Sequence, residues 1–163
     1  MNTELLIGRV RWWHLTAMAR METAIFGPEA WSEGLLWSEL AAGHDYRAVF
    51  DRSSGDRIAG YAGTAFSDNE AWINNIAVDG GYRRRGVATM LMDDLLARAR
   101  AGGAKSVFLE VAVDNVPAQR LYDGYGFYGI GVRRNYYQHT GTDAAVMRMD
   151  LWLSSPPYGE EIS

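Results

Sequence analysis

Three arginines stand in a row, Arg83, Arg84 and Arg85, inside the stretch VDGGYRRRGVATMLMDDLL of residues 78–96. Directly after them Val87, Met90, Leu91 and Leu95 recur at helical spacing, which predicts a helix beginning near Gly86. The first turn of a helix exposes N–H groups and carries partial positive charge, so it ordinarily attracts acidic residues. Positive charge in front of it is explained by an anion. Arg84, Arg85, Gly86, Val87, Ala88 and Thr89 would form a cradle in which backbone N–H and guanidinium groups converge on a phosphate. Gly86 lets the backbone come close, and the small Ala88 leaves the approach clear. The alternative is a solvated arginine run on a surface turn, the usual fate of charge runs. The stretch has neither the lysine and Ser/Thr of a P-loop nor the G-x-G-x-x-G of a dinucleotide site.

A second candidate is a carboxylate. In SVFLEVAV (106–113), Glu110 shares a strand face with Phe108 and Ala112. A carboxylate in apolar company holds its proton more readily, which suits it to act as a base near neutral pH. A glutamate on a solvent-facing edge strand would read the same way.

These residues need a frame. Residues 7–12 read as a strand, 14–26 as a helix, and 31–42 as a second helix with Ser32 as its cap. The period then changes to two in YRAVF (46–50) and RIAGYAGTAF (57–66), joined by the turn-rich DRSSGD. AWINNIAV (71–78) is a further strand, followed by the helix over 86–101, which Gly102 and Gly103 end. Next come a strand at 106–113, a short helix at 116–127 with proline in its first turn, and strands at 128–137 and 144–152. This order predicts an α/β mixed sheet with a right-handed parallel crossover from 71–78 to 106–113. Residues 1–153 read as one domain, and the tail 154–163, rich in Pro, Gly and Glu, reads as disordered.

Composition narrows the function. The chain has 163 residues, 48% hydrophobic and 22% charged, as expected for a globular protein with a core. A net charge of -4 argues against a nucleic-acid partner. The absence of cysteine removes disulfides, thiolate ligands and a cysteine nucleophile. His14, His44 and His139 lack metal-ligand spacing, so no metal is expected. There is no apolar run of membrane-spanning length and no signal-peptide pattern, so a cytoplasmic protein without a membrane partner is expected. It is read as a monomer, although Trp12, Trp13, Trp31 and Trp37 leave apolar surface for a partner.

The pattern Arg83-x-x-Gly86-x-Ala88 after NNIAV resembles the pyrophosphate loop of the GCN5-related N-acetyltransferase (GNAT) superfamily. FLEVAVDNVPAQRLYDGYGF, then GVRRNYY and DAAVMRMDL, is similar to its ribosomal protein alanine N-acetyltransferase type, and GPEAWSEGLLWSEL fits that type's paired N-terminal helices. The likeness runs over roughly residues 7–151. The chain departs from the pattern at Gly80, where proline is frequent, and at Gly124, where a longer side chain is usual.

The resemblance implies a GNAT fold, a twisted mixed sheet of about six to seven strands flanked by about four helices. It implies acetyl-CoA as co-substrate and a protein N-terminus as acceptor, alanine on a small-subunit ribosomal protein. It gives Glu110 the role of proton acceptor, directly or through water. It makes Tyr122 the acid that protonates the departing thiolate and gives Asn115 a contact to CoA. Ile76, Ala77 and Val78 would offer backbone groups to the pantetheine arm, in the manner of an added strand. Arg133, Arg134, Tyr136 and Tyr137 would lie near the acceptor. Taken alone, Tyr122 could equally be a core tyrosine, Asn115 a helix cap, and 133–137 an exposed hairpin. An α-amino group, with a reference pKa about 2.5 units below that of lysine, needs about 3.4 kcal/mol less for deprotonation, which suits a modest base. A related enzyme acting on a small amine or an internal lysine is the alternative. A CoA-binding module without catalysis would need the arginines but not Glu110 and Tyr122 together.

Overall fold

The computed structural model describes residues 4–151. Its elements are β1 (Leu5–Arg9), α1 (Leu15–Phe26), α2 (Glu33–Ala41), β2 (Asp45–Asp51), β3 (Arg57–Phe66), β4 (Glu70–Val78), α3 (Val87–Ala101), β5 (Ser106–Ala112), α4 (Val116–Tyr125), β6 (Tyr128–Tyr137) and β7 (Thr142–Asp150). The helices and strands expected from periodicity all form, with ends moved by a few residues. The largest shift is at the first strand. It stops at Arg9 because the Arg11 N–H turns onto His14 Nδ1 at 2.8 Å, starting a 3-10 turn over Trp12–His14. Ser32 caps α2 as expected, its hydroxyl accepting from the Leu35 N–H at 3.1 Å. The tail expected over 154–163 lies outside the described residues.

The strands form one seven-stranded sheet in the order β1-β2-β3-β4-β5-β7-β6. Neighbours run antiparallel except β4 and β5, which run parallel and are linked by α3. The final hairpin reverses order, so β7 rather than β6 lies against β5.

Two cores lie on opposite faces of this sheet. On one face α3 supplies Val87, Leu91, Leu95 and Leu96 and α4 supplies Tyr122, packed with Val107, Leu109 and Val111 of β5. On the other, Leu15 and Met18 of α1 and Leu36 of α2 cover Tyr46, Ala48, Tyr61 and Ala77. Each helix is held because its apolar stripe faces a strand surface with complementary alternation. Gly60 allows one close approach. A Cβ there would lie 2.8 Å from both the Ala77 carbonyl oxygen and Val87 Cγ1, so glycine is what lets α3 start against β3.

Candidate active site

The parallel pair β4–β5 is short. Its register runs from Glu70 opposite Ser106 only to Ile73 opposite Leu109. Beyond that point β4 stays with β3 as far as Val78 opposite Gly60, and β5 stays with β7 as far as Ala112 opposite Ala144. The strands therefore part, leaving an opening bounded by 74–78 and 110–112. A bulge marks where it begins. Gly63 pairs with Asn75 and Thr64 with Ile73, so Asn74 is the extra residue in β4. On the side away from β3, the backbone groups of Ile76 and Val78 have no strand partner, while Ala77 between them turns its carbonyl toward β3. Such an edge can receive an extended ligand as if it were a strand.

At the end of β4 the chain enters the arginine loop. The Asp79 carboxylate accepts the Gly81 N–H at 2.8 Å, and Gly80–Tyr82 form a 3-10 turn. Tyr82 is buried and donates its hydroxyl to Asp51 Oδ2 at 2.6 Å, while the guanidinium of Arg85 lies 5.3 Å from its ring centre. Arg84 and Gly86 both take left-handed backbone conformations, at φ 61° and 76°. This curls the loop around the start of α3. Gly86 is the N-cap of that helix, no side chain caps it, and its first turn contains no acidic residue. The amides of Val87, Ala88 and Thr89 thus lie at a helix end without side-chain acceptors, with Arg84 and Arg85 beside them, an arrangement suited to a diphosphate.

Glu110 stands where β5 leaves β4. Val107, Leu109 and Val111 point to the α3–α4 face, so strand alternation puts Glu110 on the α1–α2 face with Phe108 and Ala112. The apolar company expected for it is incomplete. Arg133 of β6 places Nε 2.7 Å from Glu110 Oε1, and the Tyr136 phenol approaches the same carboxylate. Cross-strand geometry explains this: β6 and β5 flank β7, so 23 residues of sequence separation become two strand spacings. Burial, followed by its hydrogen bond to Glu110, holds the Tyr136 phenol above its ordinary pKa.

Tyr122 lies on the other face of the sheet. It is 5% exposed and packs edge-to-face on Phe127 with ring centres 5.8 Å apart. Burial first, and then neighbouring Tyr137, raise its phenol pKa, so it stays protonated throughout the neutral range and can act only as a proton donor there. Tyr137 is the shared neighbour. Its own pKa is raised by burial and then by Glu110, Glu29 and Asp114, so its hydroxyl lies within electrostatic reach of both Glu110 and Tyr122. Asn115 caps α4 through the Ala118 N–H at 3.3 Å, and Gln119 donates to the Ala112 and Val113 carbonyls at 3.0 Å, fixing α4 to the end of β5. Tyr125 serves structure, donating to Asp93 Oδ1 at 2.8 Å to join α4 to α3.

Sequence reasoning missed a polar group under α1. Glu22 accepts from the Tyr61 hydroxyl, from Asn75 Nδ2, and from the Trp31 N–H at 3.1 Å. The adjacent amides Asn74 and Asn75, set in an otherwise apolar strand, were the available signal. Above the α1–α2 face, the Thr140 N–H donates to Glu29 Oε1 at 2.8 Å, bringing the β6–β7 turn against the α1–α2 connection. Among the described residues no group of acidic or histidine side chains has the form of a metal site, and no helix is long and apolar enough to cross a membrane.

The sequence model of the Acetyltransferase (GNAT) family matches residues 12–127. N-alpha-acetyltransferase RimI of Mycobacterium tuberculosis is 36% identical over 137 residues, which cover 81% of this chain and 84% of that protein. The ribosomal protein bS18-alanine N-acetyltransferase of Escherichia coli is 33% identical over 120 residues, covering 71% and 81%. Among solved structures, the ribosomal-protein-S18-alanine N-acetyltransferase from Escherichia coli superposes with a TM-score of 0.80 at 27% identity, over 98% of this chain and 99% of that one. Ard1 from Thermoplasma volcanium gives a TM-score of 0.81 at 26% identity, over 90% and 97%.

Proposed function

The chain belongs to the acetyltransferase (GNAT) family, and from that premise we propose that it moves the acetyl group of acetyl-CoA onto the α-amino group of a protein N-terminus, alanine of a small-subunit ribosomal protein. It is an N-acetyltransferase. The acceptor is inferred from relatives named for ribosomal protein bS18 alanine. We take the unit to be residues 1–153, working as a monomer in the cytoplasm.

The observation that carries this reading is the parting of β4 from β5, with Glu110 on one face of the sheet and Tyr122 buried on the other. The donor's diphosphate would rest on the Val87–Thr89 amides with Arg84 and Arg85, and its arm would lie along Ile76–Val78 and reach Asn115. A backbone N–H of that edge would polarise the thioester carbonyl. Glu110, directly or through a water, takes a proton from the acceptor ammonium. The freed amine forms the new C–N bond, the C–S bond breaks, and the sulfur takes the Tyr122 phenolic proton, while the second proton lost by the amine nitrogen as the amide forms passes to water and the phenol is reprotonated from solvent. The acceptor chain enters on the α1–α2 face, between the 27–32 segment and the β6–β7 turn, past Arg133, Arg134, Tyr136 and Tyr137.

The test is intact-mass analysis after incubation with acetyl-CoA and a panel: a bS18-type peptide with N-terminal alanine, the same peptide with a blocked terminus and an internal lysine, and a small polyamine. Acetylation of the free terminus is expected. Acetylation of only the polyamine or the lysine would overturn the acceptor assignment.

A further inference from the structure

We propose that Glu22 is a positioning residue for this transfer: it ties the wall that admits the acceptor to the strand edge that holds the donor. The proposal rests on the reading above for what those two walls bind.

Glu22 lies on α1 and is fully buried. Carboxylates are rarely buried completely unless a cation pairs with them. Among the described residues none forms an ion pair with Glu22. It meets hydrogen-bond donors instead: the Tyr61 hydroxyl and Asn75 Nδ2 on Oε1, and the Trp31 N–H on Oε2. A second bond, Asn75 Nδ2 to the Tyr61 hydroxyl at 3.3 Å, closes the group. Donors alone fit a group that accepts on both oxygens. A purely structural site would be filled more cheaply by an apolar side chain, since a buried polar group must first be stripped of water.

The donors come from separate places. Asn75 follows the β4 bulge and directly precedes Ile76, the first residue of the free edge. Trp31 belongs to the α1–α2 connection, two residues after Glu29, whose carboxylate holds the β6–β7 turn through the Thr140 N–H. Glu22 therefore sets the spacing between the donor edge and the acceptor wall without touching either substrate. Transfer between two bound reactants is sensitive to such spacing, and a displacement of about 1 Å costs about a hundredfold in rate.

The experiment uses the full chain with acetyl-CoA and whichever acceptor the wild type acetylates, well below the unfolding temperature of every variant. Asn75→Ala cuts the link to the donor edge, and Glu22→Gln sets an amide against waiting donors. Ile58→Ala, a core truncation on the same face with no polar contact, is the stability control. Both network variants should lose about ten- to a hundredfold in kcat with both substrates saturating, with CoA affinity changed less than threefold, and their effects should not add. The control should lose thermal stability while kcat stays within twofold. Should Glu22→Gln fail to fold, Asn75→Ala with its control decides alone. A kcat for Asn75→Ala within twofold of wild type overturns the proposal, as does a loss matched by the control. A wild type that acetylates only a small amine refutes the N-terminal reading, while the variant ratios on that amine still judge Glu22. A wild type that acetylates nothing overturns both.

Discussion

Arg133 Nε lies 2.7 Å from Glu110 Oε1, so the carboxylate proposed as proton acceptor is paired before any amine arrives. The partners are unequal: the arginine side chain is 54% exposed and the glutamate 17%. The pair is therefore a solvated arm laid over a half-sheltered base, and it contributes little to folding. Glu110→Gln should lower kcat by about 10²- to 10⁴-fold and leave CoA affinity intact. Arg133→Ala should change unfolding free energy by no more than about 1 kcal/mol. Steady-state kinetics, calorimetry with CoA and urea titration measure these. Undiminished turnover in Glu110→Gln would move the base elsewhere.

The phenols of Tyr46, Tyr61 and Tyr122 are all held above their ordinary pKa of 10.0, in each case by burial first. Below pH 10 they are protonated in both folded and unfolded chains and leave stability unaffected. Above it the unfolded chain releases these protons while the folded chain keeps them, so stability falls as pH rises. The slope is about 1.4 kcal/mol per pH unit for each tyrosine. Urea unfolding between pH 9 and 11 (a range set by the reference tyrosine pKa of about 10) should show this decline, made shallower by one tyrosine's share in Tyr122→Phe. The same substitution should lower kcat by about a hundredfold with CoA binding retained. A Tyr122→Phe enzyme of full activity would remove the phenol from the reaction.

The uncapped start of α3 gives a test in which stability and binding move in opposite directions. Thr89 is exposed in the first turn, where the helix has no acidic residue. Thr89→Glu suits the helix dipole and should stabilise the free protein by about 0.3–1 kcal/mol. The same carboxylate would repel a diphosphate, so CoA binding should weaken by at least about tenfold. Arg84→Ala and Arg85→Ala should each weaken it by about ten- to a hundredfold, as expected for lost charge-assisted hydrogen bonds. Thermal melts and calorimetry report both quantities. Undiminished CoA binding in Thr89→Glu would show that the cradle is no anion site.

The parts of this fold legible in the sequence are those set by local pattern. Helix α3 follows from Val87, Leu91 and Leu95 on one face, and α4 from Pro117 and the Asn115 cap. The arginine loop was legible because it contradicts the helix dipole. What the sequence withheld depends on register between distant strands. Nothing in AWINNIAV states that pairing with β5 ends at Ile73, or that Asn74 bulges. The Arg133–Glu110 pair required β7 to lie between β5 and β6, an order that the strand sequence does not reveal. Glu22 looked like an ordinary polar position on an amphipathic helix, because its burial comes from Tyr61 and Asn75, far along the chain.

Two glycines should respond to the same substitution with opposite signs. Gly60 lies where α3 meets β3. An added Cβ would stand 2.8 Å from the Ala77 carbonyl oxygen and 2.8 Å from Val87 Cγ1. The first contact is a β4 carbonyl that faces β3, so relief requires β4 itself to shift. Gly60→Ala should cost about 1–3 kcal/mol and raise the KM for acetyl-CoA, because Ala77 is one of the residues proposed to hold the donor. Gly124 lies in the last turn of α4 with nothing within 4 Å of an added Cβ, and its φ lies outside the left-handed range. There alanine only removes the freedom of the unfolded glycine. Gly124→Ala should stabilise by up to about 1 kcal/mol, a gain of about 2–4 °C in Tm, with kinetics unchanged. Differential scanning calorimetry on both variants reads the signs directly. Destabilisation by Gly124→Ala would mean that α4 needs a looser final turn than its geometry indicates, and a silent Gly60→Ala would mean that the β4 edge can yield without loss.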